Sequence, residues 1–407
     1  MEKKLLIALL FLSFGLSAKT LEVCENCQFQ NIASAIQAAS NGDTIQIQKG
    51  LYKEGSVVVD KELTIIGNDS IIDGLGKEHV LDIKANHVTI QNLTIQNSGI
   101  SDRQEFAGIH AEGISDCKFI GNHLENNTYG FYLAKVSNCL IEKNSSWGNA
   151  IDEVLGGNGI HLWYSDHIKI FKNTIKNHRD GLYFEFSNDI EIKNNTSSNC
   201  VRYGMHFMFS HRNQFIDNIF IKNPTGVAVM YSKKIQIIGN RFEDSRGMSA
   251  YGILLKDITD SIFERNIFYN NTIGIFSDNS LRNIFKNNYI QKNGWAIHLL
   301  GNSDDNVFMG NNIIDNIFDV STNSRRNPNI FENNYWSKYR GYDLDNNGIG
   351  DIPYRPVQLY SYLIQFYPVL SALLQSPSIE ILEIAEKAFP ILTPVNLVDT
   401  KPNMKRL

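Results

Sequence analysis

A repeat of 22 or 23 residues runs through the middle of the chain. Each repeat begins with a glycine or alanine, continues as a short apolar strand, and passes through Asn-rich turns. The repeats open at Gly108, Gly130, Gly159, Gly181, Gly204, Gly226, Gly252, Gly274 and Ala296. A short period built from strands is typical of β-solenoids, in which each repeat is one coil stacked on the next. The sequence therefore predicts an all-β fold, a right-handed parallel β-helix, over residues 19–335.

Two repeats are longer than the others. The step to Gly159 is 29 residues and the step to Gly252 is 26 residues. Because the coils must remain in register, the extra residues should bulge outward. We expect these bulges at 151–157 and at 246–250.

One column of the repeat is almost invariably asparagine. It contains Asn122, Asn144, Asn173, Asn195, Asn218, Asn240, Asn266 and Asn288. Asparagine can hydrogen-bond turn backbone, so we expect a buried ladder in which each side chain bonds to the next coil. In another column Cys117 and Cys139 align with isoleucines. This alignment predicts that both are reduced, buried core residues.

The two ends of the chain depart from the repeat. Residues 32–39 form an amphipathic segment that we expect to be a helix capping the first coil, since an open coil exposes unpaired strand edges. Residues 357–407 are apolar and helical in pattern, with Ser376 and Pro377 placed to begin a helix that runs through Phe389. This tail either folds back as a cap or docks on a partner.

The N-terminus predicts export. Two lysines, an apolar run and Ala18 before Lys19 form a secretory signal over residues 1–18, with cleavage after Ala18. In an exported chain, Cys24 and Cys27 favour a disulfide, although a metal pair or a redox pair would have the same spacing. The net charge of −5 does not favour a nucleic-acid partner.

The outward column of the central strands carries unusual side chains. Alternation places His110, Tyr132, His161, Tyr183 and His206 outward, with Trp163, Glu185, Met208 and Met230 two residues further along. Coils lie about 4.8 Å apart, so His206, Met208 and Met230 should converge, with Glu185 and His161 in support. Imidazole and thioether ligands favour Cu(I). We expect His110, Tyr132, Trp163 and Tyr183 to form an interaction face. The alternative to a copper site is an aromatic and sulfur surface that the 151–157 bulge or a partner protein covers.

A polar loop over residues 336–356 follows the last repeat. Asp343, Asp345, Asn347 and Asp351 have the oxygen-ligand spacing of an EF-hand-type calcium loop, with Gly348 at the sharp turn. The twelfth position is Tyr354 rather than glutamate. The alternative is a turn held by its own Asx hydrogen bonds.

The same region carries a family resemblance. The run Asn-Asn-Tyr-Trp-Ser at 333–337, Gly-Tyr-Asp at 341–343 and the stretch from Asp345 to Pro356 resemble the C-terminal signature of the NosD family. That resemblance implies a periplasmic, non-enzymatic accessory protein that works with an ABC-type ATPase and permease at the inner membrane. It also implies a role in assembling the copper-sulfide centre of nitrous oxide reductase, with copper supplied by a small lipoprotein chaperone.

A carbohydrate lyase or uronan epimerase is the rival interpretation, because such enzymes share the β-helix. His161, Tyr183, Glu185 and His206 could imitate their proton-transfer groups. Against it, the face has few cationic side chains to neutralise a uronate, and the sequence lacks an Asp-Pro-His triplet.

Overall fold

The computed structural model describes residues 18–101, 103–324, 327–373, 376–389 and 397–407. The predicted signal peptide falls almost wholly on residues 1–17, outside the described residues. The predicted right-handed parallel β-helix is confirmed. Within the described part, the strands form three parallel sheets that wrap a continuous apolar core.

The strands of the first sheet are β1 (Thr20–Val23), β2 (Thr44–Ile47), β5 (Thr64–Gly67), β8 (Thr89–Gln91), β11 (Lys118–Ile120), β14 (Leu140–Glu142), β17 (Lys169–Phe171), β20 (Glu191–Lys193), β23 (Gln214–Ile216), β26 (Gln236–Ile238), β29 (Ile262–Glu264), β32 (Ile284–Lys286), β35 (Val307–Met309) and β38 (Ile330–Glu332). The strands of the second sheet are β3 (Gly50–Lys53), β6 (Ser70–Asp73), β9 (Thr94–Gln96), β12 (His123–Glu125), β15 (Ser145–Trp147), β18 (Thr174–Lys176), β21 (Thr196–Ser198), β24 (Ile219–Ile221), β27 (Arg241–Glu243), β30 (Ile267–Tyr269), β33 (Tyr289–Gln291), β36 (Asn312–Ile314) and β39 (Tyr335–Trp336). The strands of the third sheet are β4 (Val57–Val59), β7 (Leu81–Ile83), β10 (Ala107–Glu112), β13 (Tyr129–Ala134), β16 (Ile160–Trp163), β19 (Asp180–Glu185), β22 (Tyr203–Met208), β25 (Thr225–Met230), β28 (Tyr251–Lys256), β31 (Ile273–Asp278), β34 (Trp295–Leu299) and β37 (Phe318–Thr322).

Each coil contributes one strand to each sheet, and identical positions stack. In the first sheet Phe263, Phe285, Phe308 and Phe331 form a continuous column with ring centroids 4.4–4.5 Å apart. Offset-stacked rings at this spacing add to the free energy gained by burying their area. Inward and outward positions alternate along each strand, so the outward columns of the third sheet are also in register.

The asparagine ladder is confirmed. Asn195 accepts from the Nδ2 of Asn173 at 2.9 Å, and its own Nδ2 donates to the Oδ1 of Asn218 at 3.0 Å and to the Ile170 carbonyl at 2.8 Å. The ladder extends through Asn311 and Asn334. Further ladders at the other turns were not predicted, among them Asn271, Asn293 and Asn316.

The prediction that Cys117 and Cys139 are reduced is wrong, because they form a disulfide. Stacking the two cysteines on adjacent coils places their Cα atoms 4.6 Å apart, within the separation that a disulfide requires. Cys24 and Cys27 are also joined, as the favoured alternative predicted. Among the described cysteines, Cys200 remains a thiol, and burial raises its pKa to about 12.

The N-terminal cap is the helix α1 (Ile32–Ala38). Asn31 caps its first turn by accepting from the Ser34 amide, and Ile32, Ala35 and Ile36 are buried against the first coils. At its other end, the Lys61 ammonium donates to backbone carbonyls of the last turn, where positive charge is favourable.

The C-terminal region leaves the stack and returns to it. It contains α2 (Leu359–Phe366), a 3₁₀ helix (Pro368–Leu373) and α3 (Pro377–Ala388), and α2 lies against β37. Asp399 then occupies the next rung after Asn334, because its carboxylate accepts from the Nδ2 of Asn334 at 3.0 Å and from the Nε1 of Trp336 at 2.8 Å. Residues 397–407 therefore close the last coil. The helical excursion at 359–389 lies between the last repeat and this closing segment in the sequence and packs against Phe318 of β37.

Replacing Asn195 with leucine should lower the free energy of unfolding by about 1–3 kcal/mol, because buried partners on both neighbouring coils lose their hydrogen bonds. Chemical denaturation followed by circular dichroism measures this loss. The matched control is Asn149→Leu, at an exposed position, which should change stability by less than about 0.5 kcal/mol. Equal stability of the two variants would contradict a stabilising role for the ladder.

Candidate functional site

A column of stacked histidine and tyrosine rings follows the outer face of the third sheet. Ring centroids are separated by 4.0 Å for His79 and His110, 5.9 Å for His110 and Tyr132, 4.7 Å for Tyr132 and His161, 4.7 Å for His161 and Tyr183, and 5.1 Å for Tyr183 and His206. The predicted outward column therefore exists as one continuous row of ring contacts, in which Tyr183 and His206 meet edge to face. His79 was missed because it precedes the regular repeat.

Two histidines of this column are more buried than outward alternation implies. Burial lowers the pKa of His161 to about 3 and that of His206 to about 4, so both are neutral near pH 7. The cause is mutual shielding, since rings on adjacent coils cover one another. His161 also bonds through Nδ1 to the Asn158 amide at 3.0 Å. Tyr183 lies between His161 and His206, so the structure does not bring the two imidazoles together.

The register of His206, Met208 and Met230 agrees with the sequence interpretation. In the pairing of β22 with β25, Met208 lies directly opposite Met230, and His206 lies opposite Ala228. Both methionines are partly exposed, whereas His206 is only 6% exposed. Glu185 lies opposite Met208 on the other side, and the Tyr183 hydroxyl donates to it at 3.4 Å.

Both ring nitrogens of His206 lack a hydrogen-bond partner among the described residues. Most buried polar groups are paired, and an unpaired one costs about 1–3 kcal/mol. The nearest acceptor is the Asp180 carboxylate, with Oδ2 at 3.9 Å from Nδ1, which is too far for a hydrogen bond. Asp180 was not singled out in the sequence because it precedes Gly181, the residue that opens its repeat.

A second ring column lies beside the first, at the turn that follows each strand of the third sheet. Tyr164, Phe186, Phe209 and Tyr231 stack at 4.6, 5.2 and 4.9 Å. All four have φ between 47° and 52°, in the left-handed region that bulky residues rarely adopt. With Trp163, Met208 and Met230, this column forms an aromatic and sulfur-rich surface. Alternation predicted those three residues on the outer face but did not predict the second ring column.

A cleft of about 410 Å³ lies at the end of the ring column nearest the N-terminus. Its lining includes Glu78, His79, Glu105, His110 and Tyr132. The Nδ1 of His110 is 2.8 Å from the Asp82 carboxylate, which orients the imidazole. The cleft therefore combines acidic and aromatic side chains.

The predicted calcium loop is organised by its own hydrogen bonds. Asp343 accepts from the backbone amides of Asn347 at 3.1 Å and Gly348 at 2.8 Å, and Asp351 accepts from the Leu344 amide at 2.8 Å. Asp345 accepts from both the backbone and the side chain of Asn347. Among the described residues, no three His, Cys, Asp or Glu side chains are grouped to hold a metal ion. This arrangement matches the Asx-turn alternative and gives the calcium hypothesis no support.

Comparison with known proteins places these features in a family. A family model described as "Periplasmic copper-binding protein (NosD)" matches residues 36–156 and 149–344. The "Probable ABC transporter binding protein NosD" of Stutzerimonas stutzeri is 36% identical over 357 residues, covering 83% of this chain and 81% of that protein. The protein of the same name from Pseudomonas aeruginosa is 31% identical over 374 residues, covering 86% of each.

Solved structures share the fold alone. The A-module of mannuronan C-5 epimerase AlgE6 from Azotobacter vinelandii has a TM-score of 0.55 at 12% identity, covering 75% of this chain and 92% of that one. The Dettilon tailspike protein has a TM-score of 0.56 at 16% identity, covering 74% and 65%. In the described ranges, no helix combines the length and apolarity needed to cross a bilayer.

We expect calcium chelation to leave the melting temperature unchanged, because backbone amides already occupy the carboxylates of the 336–356 loop. Differential scanning calorimetry with calcium and with chelator measures this. A chelator-induced decrease in the parent that disappears in Asp345→Ala would instead establish a calcium site.

Proposed function

The chain belongs to the NosD family, and from that premise we propose that it is a periplasmic maturation factor for the copper-sulfide centre of nitrous oxide reductase. It works with an ABC-type permease and ATPase, receives copper from a small lipoprotein chaperone, and delivers it to the reductase. The copper-binding description of the family and the transporter-binding names of the two relatives support this role. Association with the inner membrane is peripheral and runs through the transporter.

We assign Cu(I) transfer to His206, Met208 and Met230. The orphaned nitrogens of His206 are the observation that carries this assignment, because a buried imidazole without a partner has a lone pair available for a ligand. Paired thioethers lie in register beside it, and soft thioether and imidazole ligands suit Cu(I). Thioethers need no deprotonation, so cargo can bind and leave without proton release.

The ring columns around these ligands form the docking surface for the donor and the acceptor of copper. Tyr132, Trp163 and Tyr183 belong to it, and His110 extends it toward the cleft. Exposed contiguous aromatic patches on soluble proteins typically mark interaction sites. Glu185 and His161 support the site from neighbouring coils rather than as ligands, since Tyr183 separates His161 from His206.

The helical excursion at 359–389 binds the permease. Val369 is 78% exposed, Ile381 67% and Ile384 64%, although all three are apolar. The opposite side of the excursion is fixed to the stack, with Tyr360 and Ile364 buried against Phe318 of the last coil. An anchored element that presents an apolar surface outward needs a partner to cover that surface.

A carbohydrate lyase or uronan epimerase remains the rival function. The likeness to epimerase modules is at 12–14% identity and concerns the fold. Because unrelated functions share a fold, this likeness is not evidence that the chain has epimerase activity.

Replacing His206, Met208 and Met230 together with alanine should abolish high-affinity Cu(I) binding, measured by competition with a colorimetric Cu(I) chelator. The far-ultraviolet circular dichroism spectrum should match that of the parent, because the apolar interior of the stack is untouched, although removal of the buried His206 ring lowers the melting temperature. Met248→Ala removes a fully exposed thioether elsewhere and should leave binding intact. Unchanged Cu(I) affinity in the triple variant would refute the ligand assignment.

Serine substitution of Val369, Ile381 and Ile384 should abolish co-purification with the permease while leaving the stack folded, because 397–407 still closes the last coil. Ile151→Ser, at a 94% exposed position on the 151–157 bulge, is the control and should retain the permease. Retention of the permease by the triple serine variant would refute permease binding by the excursion.

A further inference from the structure

A buried ion pair lies directly behind His206. Asp180, the first residue of β19, is fully buried, and both its oxygens are held by Arg202, with Nε–Oδ1 at 3.0 Å and Nη2–Oδ2 at 2.6 Å. Bidentate pairing fixes the carboxylate in orientation as well as position. The guanidinium also packs over the Tyr203 ring at 4.8 Å, which holds it in place.

The carboxylate faces one specific atom of the imidazole. Oδ2 of Asp180 is 3.9 Å from Nδ1 of His206, while Nε2 has no partner among the described residues. Tyr183 and Tyr203 flank the ring at 5.1 and 4.9 Å, and Ala228 occupies the next coil. A movement of about 1 Å would bring Nδ1 within hydrogen-bond distance of Asp180.

We propose that Asp180, anchored by Arg202, is a positioning residue for Cu(I): it accepts the Nδ1–H of His206 and so leaves the Nε2 lone pair for the metal. This inference rests on the proposed copper-transfer function. An imidazole that binds a metal through one nitrogen has its proton on the other, so holding the proton on Nδ1 makes Nε2 the ligand atom. Ligation at Nε2 polarises the ring and strengthens the Nδ1–H donor, which closes the gap to Asp180.

The same arrangement would give each ring nitrogen of His206 a partner when copper binds. Without metal, the imidazole lies short of its acceptor and loses a hydrogen bond. With metal, both nitrogens are used. Copper binding therefore satisfies a buried group that the fold alone leaves unsatisfied. Its release restores the unsatisfied state, so this coupling favours retention of the ion until a stronger acceptor binds it.

The test is Asp180→Asn, with Cu(I) affinity measured by chelator competition. Loss of a carboxylate behind a metal-bound histidine typically weakens affinity by roughly 10–100-fold, and we expect a decrease in that range. Asp189→Asn is the matched control, because Asp189 also binds an arginine of the next coil, Arg212, through both oxygens but lies away from His206. The control should bind Cu(I) as the parent does.

Two further measurements separate positioning from general destabilisation. Adding Asp180→Asn to His206→Ala should weaken binding no further than His206→Ala alone, because the carboxylate acts through the imidazole. In the unmodified protein, ¹⁵N-histidine NMR with Cu(I) should show metal on Nε2 and a proton on Nδ1 of His206. This spectrum tests the inference even if Asp180→Asn fails to fold.

The outcomes distinguish this inference from the function on which it rests. Copper on Nδ1, or equal affinities for Asp180→Asn and Asp189→Asn, would overturn the role of Asp180 and leave copper binding at His206 intact. Absence of Cu(I) binding in the parent, or no loss of affinity in His206→Ala, would overturn both.

Discussion

The hydrogen bond between asparagines on successive coils is the interaction on which the rest of the structure depends. Each rung donates and accepts through one short side chain, so it fits only when the coils are aligned residue for residue. Asn195 illustrates this, because it contacts both neighbouring rungs and the carbonyl of Ile170. A slip of one residue would leave these groups unpaired inside the stack and would turn every outward side chain inward. The ladder thus fixes which side chains become neighbours on the surface.

Because the register is fixed, side chains can also stack at a turn position whose backbone conformation does not favour them. The left-handed turn position holds Gly113, Lys135, Asp257 and Asn279 on other coils, whereas four successive central coils place aromatic residues there. The turn does not require an aromatic side chain, and a bulky residue in this conformation is strained. Ring stacking offsets part of that cost. The position of this column beside Met208 and Met230 suits a role in binding rather than in folding.

The sequence predicted those features that follow from spacing alone. The period located the coils, and the columns of Asn122 to Asn288 and of Met208 with Met230 followed from counting. The Cys117–Cys139 bond was missed because alignment with isoleucine suggested packing, although the same alignment places two sulfurs within bonding distance. The burial of His206 and its proximity to Asp180 depend on how neighbouring rings and a turn cover the side chain, which no spacing encodes. The position of Asp399 in the stack could not be predicted, because it follows a long helical segment and lies outside the 22- or 23-residue period.

The last rung of the ladder has a consequence for how the molecule is made. Asp399 lies 65 residues beyond Asn334, the rung to which it bonds. Synthesis and export both present a chain from its N-terminus, so coils can add one by one onto the α1 cap as soon as each has emerged. The far end cannot close until Asp399 has emerged. Until then, the newest coil presents unpaired backbone groups and an apolar cross-section. Other chains with exposed strand edges can pair with this open end, so the incompletely folded protein is prone to aggregation.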